Sequence, residues 1–239
     1  MKIRAPAKVN LRLRVLGKRN DGYHLIDTVM VPVSLYDEVE ITQTKMTRTR
    51  ARSTQRLKVT CDHPRVPSGK KNLAFRAASL LLGKTKIDKQ ISIRIRKKIP
   101  IGAGLGGGSS DAAATLLGLN RSLRLGYGSK KLLLLSRQLG ADVPFFIRGR
   151  PARARGIGDR LALLRNFPRF WLVILYPGFP VSTRWAYENL PATLTKSIEN
   201  TSIQRLLRCV KDFHNFLVND LEAVTVARYP RLACLKEKL

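Results

Sequence analysis

The stretch Pro100-Ile-Gly-Ala-Gly-Leu-Gly-Gly-Gly-Ser-Ser110 holds five glycines within seven positions, from Gly102 to Gly108. So many glycines disfavour helix and strand alike, so the segment must be a loop. Its flanks are regular. Ahead of it, Ile91, Ile93 and Ile95 alternate with Ser92, Arg94 and Arg96, which predicts a strand with one wet face, ended by Pro100. Behind it, Ser109-Ser110-Asp111 opens an alanine-rich helix that reaches about Asn120. A loop free to take positive φ, followed by a helix N-terminus, can turn several main-chain N–H groups toward one anion.

Three loop types share this composition. A G-x-x-x-x-G-K-[ST] phosphate loop needs a lysine that does not follow here. A dinucleotide fingerprint G-x-G-x-x-G matches at Gly102, Gly104 and Gly107, but it needs a buried parallel strand before it and an acid about 20 residues beyond. The strand here has a polar face, and no Asp or Glu lies between Asp111 and Asp142. Tight strand–helix packing is the third type, and one turn seldom needs five glycines. The composition therefore favours phosphate binding by the main chain.

Elsewhere, Val9, Leu11, Leu13 and Val15 alternate with Asn10, Arg12 and Arg14, which predicts an N-terminal strand. Asn20-Asp21-Gly22 has turn chemistry. Further strands are predicted over Thr28–Leu35, Glu38–Thr42 and Leu57–Cys61, and helices over Asn72–Leu82, Ser129–Leu139, Thr183–Asn189 and Ile203–Val218. Ala141 to Pro144 reads as a loop leading into Phe145-Phe146-Ile147, and Phe170–Leu175 as a buried strand stopped by Pro177-Gly178. Strands first, then helices mixed with strands, predict an α+β fold rather than a regular βαβ series. The Gly- and Arg-rich Gly149–Gly158 suggests a domain boundary, giving domains 1–155 and 156–239.

Forty-five Lys and Arg against sixteen Asp and Glu give a formal charge of +29. The excess is spread over both halves. Its densest run, Lys45 to Arg56, reads as a solvated loop, and it has no aromatic residue to stack on a base. A field of this sign draws in phosphate esters. Cys61, Cys209 and Cys234 form no C-x-x-C pair, the N-terminus lacks the apolar run of a signal peptide, and Phe170–Tyr176 is too short to span a bilayer. A reduced cytoplasmic setting, without a membrane or nucleic-acid partner, is the expectation.

Asp142 stands among Ala141, Val143, Pro144, Phe145 and Phe146, where loss of water would make its carboxylate a better base, although an Asp before a Val-Pro step is equally a turn or cap residue. Lys8 shares a strand face with Pro6 and Asn10, where a solvated lysine is the ordinary reading. His24 follows a tight turn, and Tyr187 lies on a short helix that packing alone would explain.

The loop with Asp111-Ala-Ala behind it resembles the second signature motif of the GHMP kinases. Ala5-Pro-Ala-Lys-Val-Asn-Leu, Asp21-Gly-Tyr-His24, Val59-Thr-Cys-Asp-His63, Asn72-Leu-Ala, Gly140-Ala-Asp-Val-Pro-Phe-Phe, Arg155-Gly-Ile-Gly-Asp and Asn219-Asp-Leu-Glu222 resemble one branch of that family. That branch phosphorylates the 2-hydroxyl of a cytidine diphosphate-linked methylerythritol in the non-mevalonate isoprenoid pathway. The resemblance implies an N-terminal ribosomal-protein S5-like domain and a smaller C-terminal α/β domain. It implies ATP and Mg²⁺, with no protein metal ligand assigned. Asp142 would be the base and Lys8 its partner. Pro100, Ile101, Gly102, Ala103, Gly104, Leu105, Gly106, Gly107, Gly108, Ser109 and Ser110 would hold the phosphates, with Asn72 and Lys97 near the adenosine. Asn10, Tyr23, His24, Thr183 and Tyr187 would meet the substrate, Tyr187 by stacking on cytosine. The family's third motif, a Gly-Ser-Gly-Pro-Thr loop, is absent before Leu239, so the C-terminal domain reads as truncated. A mevalonate-type kinase and an inactive basic remnant that binds nucleic acid are the alternative readings.

Overall fold

The computed structural model describes residues 1–45, 56–85, 89–191 and 216–238. Two long strands, β1 (Lys2–Lys18) and β2 (His24–Lys45), are joined by the Asn20-Asp21-Gly22 turn, where Gly22 has φ +85°. β3 (Leu57–Cys61), β4 (Lys89–Arg96), β5 (Ala152–Gly156), β6 (Arg160–Leu163) and β7 (Val218–Asn219) complete the sheet. Its order is β3-β4-β2-β1-β7, with β5 paired to β2 and to β6. β2 is one strand where two were expected, because its halves have different partners: residues 38–45 pair with β4 and residues 26–30 with β5.

The chain divides into two compact units, and neither is a continuous segment. One comprises Met1–Lys8, Pro32–Pro100 and Gly106–Gly149; the other comprises Val9–Val31, Ile101–Leu105 and Arg150–Leu239.

In the first unit β4 runs antiparallel to β2 and parallel to β3. Ile91, Ile93 and Ile95 are fully buried while Arg94 and Arg96 are exposed, as their alternation predicts. Each such isoleucine contributes about 1.5–3 kcal/mol by leaving water. The helices are α1 (Leu73–Leu82), α2 (Gly107–Ser122), α3 (Ser129–Arg137) and α4 (Val143–Arg148). α1 packs on α2, and both α2 and α3 pack on α4. A Cβ added at Gly118 of α2 would stand 2.1 Å from Ile3 Cδ1 and 2.6 Å from Ile41 Cδ1, so the helix lies directly on the sheet there. The Ala141–Pro144 loop merges into α4, which tolerates Pro144 in its first turn because no intrahelical donor is lost.

In the second unit Leu11, Val29, Val31 and Phe216 form one apolar cluster, packed by Val9, Leu164 and Phe167. Leu13, Val15 and Ile26 form another, packed by Tyr187, Leu190 and Leu221. β7 pairs parallel to β1 at Arg12 and Leu13. The stretch Gly149–Gly158 contributes β5 of the β5–β6 hairpin, with Ala152 and Ala154 buried. α5 (Thr183–Glu188) is capped by Ser182, and α6 (Glu222–Arg228) and α7 (Arg231–Glu237) follow.

One expectation is corrected here. Phe170–Leu175 is neither a strand nor buried, and Trp171 is 99% exposed. Apolar and β-branched residues make a strand only against a partner edge, and no described strand pairs with this segment. The helix expected over Ile203–Val218 falls mostly outside the described residues, as do Cys209 and most of the Lys45–Arg56 run. Cys61 and Cys234 are free thiols. Among the described residues no helix is long and apolar enough to cross a membrane.

Candidate active site

The Gly-rich loop has the backbone its composition demands. Gly102, Gly104 and Gly106 all have φ +71°, a left-handed conformation that an L side chain strains. A Cβ at Gly102 would also fall 2.4 Å from Pro180 Cβ, and the Gly102 carbonyl accepts the Val181 N–H at 2.9 Å. Gly106 is the N-cap of α2, and no side chain caps the helix. The first intrahelical bond runs from Ser110 N–H to the Gly106 carbonyl at 2.9 Å. By helix geometry the amides of Gly107, Gly108 and Ser109 therefore have no intrahelical acceptor, and the dipole adds partial positive charge there.

The two proposed chemical groups meet at this cap. A Cβ at Gly106 would stand 2.8 Å from the Phe146 ring and 3.1 Å from Lys8 Cγ. Lys8 is buried, and its Nζ lies 4.0 Å from Asp142 Oδ2. Asp142 occupies the N-cap position of α4, its side chain 37% exposed. Its apolar neighbours Val143, Phe145 and Phe146 are buried, yet the carboxylate keeps access to an incoming group. Helix α4 thus carries the acid, β1 the lysine and α2 the amides.

Lys97, expected near the adenosine, has its side chain held within the protein. Its ammonium is buried between Asp37 and Asp111, bonding the former closely and Asp111 Oδ2 at 2.8 Å. Burial works against that ammonium, but the two carboxylates outweigh it and hold the amine above its usual range. Burial pushes the Asp111 carboxyl up to about 7, opposed by Lys97 and reinforced by Asp37. Asn72 is also engaged internally. It caps α1 by accepting the Ala74 N–H at 2.8 Å and donates to the Pro67 carbonyl at 3.0 Å.

The expected substrate residues lie in the second unit. His24 and Tyr187 are stacked, with ring centroids 5.2 Å apart and planes at 25°. Burial, with Lys18 nearby, lowers the His24 pKa and so favours the neutral ring. Tyr23 is 60% exposed and Thr183, at the start of α5, is exposed as well. Asn10 donates to Thr28 Oγ1 at 2.6 Å, and that hydroxyl donates to the Arg12 carbonyl.

Sequence reasoning missed the roles of Asp37 and Asp111. Asp111 was visible as a member of the loop motif. The available signal for Asp37 was alternation, which puts it on the Val39 and Ile41 face of β2, and the fold shows it fully buried there.

A helix N-terminus with no side-chain cap and a lysine–aspartate pair beside it would suit phosphoryl transfer to an alcohol. Residues 72–150 match the GHMP kinases N terminal domain. The crystal structure of homoserine kinase from Cytophaga hutchinsonii shares the fold, with a TM-score of 0.57 at 21% identity, covering 84% of this chain and 61% of that one. The chain belongs to the GHMP kinase family.

Within it, the chain is 46% identical over 239 residues to the 4-diphosphocytidyl-2-C-methyl-D-erythritol kinase of Citrifermentans bemidjiense, covering 100% of this chain and 82% of that protein. It is 45% identical over 237 residues to the enzyme of that name from Geobacter metallireducens, covering 99% and 81%. A crystal structure of 4-(cytidine 5'-diphospho)-2C-methyl-D-erythritol kinase matches 98% of this chain and 81% of its own, with a TM-score of 0.75 and 33% identity.

Proposed function

We propose that the chain transfers a phosphoryl group from ATP to the 2-hydroxyl of 4-diphosphocytidyl-2-C-methyl-D-erythritol, a step in making isoprenoid precursors by the non-mevalonate route. The observation that carries the chemistry is the Lys8–Asp142 pair, 4.0 Å apart and packed at the N-cap of the glycine-rich helix. The substrate assignment is supported by the names of relatives at 45–46% identity over nearly the whole chain.

In this reading ATP supplies the phosphoryl group, and the chain positions it. The amides of Gly107, Gly108 and Ser109 fit the phosphate oxygens, as the uncapped start of α2 requires an acceptor there. Asp142 accepts the proton of the attacking hydroxyl, and Lys8 offsets charge on the transferring group. Tyr187 and His24 present an aromatic face and a neutral imidazole to cytosine, beside Tyr23, with Asn10 and Thr183 completing substrate binding. Residues 1–155 then act as the ATP-binding segment and 156–239 as the C-terminal segment, in the cytoplasm and without nucleic acid. Among the described residues no three His, Cys, Asp or Glu side chains gather as metal ligands. Mg²⁺ would enter with the phosphates of ATP, whose charge it offsets.

Asp142→Asn should lower kcat by about 100-fold or more while ATP affinity changes by less than about twofold. Coupled ADP-release kinetics and equilibrium titration measure the two. Undiminished turnover would exclude Asp142 as the base. The same assay with mevalonate or homoserine as acceptor should give no product. RNA binding without any kinase activity would replace the proposal.

A further inference from the structure

We propose that Asp37, Lys97 and Asp111 form a buried clamp that fixes the two ends of the glycine-rich loop, making all three positioning residues for ATP. β4 ends at Arg96, and the next three amides have no strand partner. Carboxylates hold them instead. Lys97 N–H donates to Asp62 Oδ1 at 2.9 Å, and Lys98 N–H and Ile99 N–H donate to Asp37 Oδ1 at 2.6 and 2.9 Å. This anchors the chain just before Pro100. Beyond the loop, Asp111 lies on α2, and Lys97 bridges Asp37 to it. The cluster lies directly behind the first residue of the helix. A Cβ at Gly107 would stand 3.0 Å from Lys97 Nζ and 3.3 Å from Asp37 Oδ2. One side-chain cluster thus determines where the loop enters and where the Gly107 amide stands.

The clamp's burial argues for a role in geometry. Asp37 is fully buried, and Lys97 and Asp111 nearly so, which keeps them from touching a substrate themselves. A buried ion pair adds little net stability, since desolvation offsets attraction, but it strongly favours one arrangement. Loop ends displaced by a fraction of an ångström would misdirect several phosphate-facing amides together. Lys97 therefore affects ATP through the backbone it holds.

The inference rests on the kinase reading, and the experiment separates the two. Lys97→Met and Asp37→Asn are made in the full chain. The asparagine keeps a carbonyl oxygen for the Lys98 and Ile99 amides and puts an NH₂ donor, which cannot accept from the ammonium, in place of the carboxylate oxygen facing Lys97. In both variants KM for ATP should rise by about tenfold while KM for the alcohol stays within about twofold. A merely structural role would shift both together. Calorimetric titration with ADP reads the grip without turnover and should show the same loss. The double variant should lose less than the product of the two single effects, since both act on one cluster. Should Lys97→Met not fold, Asp37→Asn decides alone. ADP affinity within about twofold of the parent in a folded variant overturns the clamp. A parent that binds ADP but phosphorylates no alcohol sinks the proposed function and leaves the clamp standing, and a parent that binds no ADP sinks both.

Discussion

At the scale of single residues, the site depends on side chains whose setting sets their charge. Asp111 shows this most clearly. Its carboxyl ordinarily titrates at 3.8, and in the fold burial raises it to about 7. The native chain therefore holds a proton that the unfolded chain has released across the interval between those values. Stability from this group is full below 3.8 and is lost as pH rises through about 7. Thermal melts of the parent and of Asp111→Asn between pH 4 and 7 should diverge, with the parent losing more stability as pH rises. A constant difference between the two curves would show that Asp111 has an ordinary pKa in the fold. Gly106 illustrates a different constraint. It is excluded from carrying a side chain twice, by φ +71° and by the Phe146 ring and Lys8 stem. The absence of one Cβ thus allows Lys8 to approach the helix cap.

At the scale of elements, the start of each helix explains its place. α2 begins with glycine and no side-chain cap, which leaves its first amides for a ligand. α1 begins with Asn72, whose side chain satisfies Ala74 N–H and reaches Pro67. Asn72→Ala should therefore cost about 1 kcal/mol in urea-induced unfolding, with a range of roughly 0.5–2. A variant as stable as the parent would mean that the cap bond has no weight. The segment Phe170–Leu175 is the contrary case. It has the composition of a strand but lies outside the described sheet, and its side chains stay exposed.

At the scale of the whole molecule, charge dominates. A formal +29 on 239 residues makes a field that attracts both proposed substrates, each of which carries phosphates. Raising ionic strength should lower kcat/KM for both substrates while kcat changes little, because screening acts on encounter. Initial rates at ~0.05 and ~0.3 M NaCl test this, the Debye length falling from about 14 to about 6 Å. Rates indifferent to salt would show that the excess charge lies too far from the entry path to matter. The described residues give no structural reason for an excess of this size.

Much of this chain was legible before any coordinates. Period-two alternation marks β1 and β4 because strand side chains alternate faces whatever packs on them. The glycine run marks the loop because positive φ is a local, steric matter. The motif around Asp142 and Lys8 was legible only through resemblance, since spacing alone left a base and a cap residue equally served. Tertiary structure decided the rest. It joined two predicted strands into β2 by giving its halves different partners, and it left Phe170–Leu175 exposed and outside the described strands. It also buried Asp37, a charged residue whose only sequence cue is that it alternates in phase with Val39 and Ile41. Local conformation follows from the residue itself, whereas pairing and burial depend on what distant parts of the chain bring alongside.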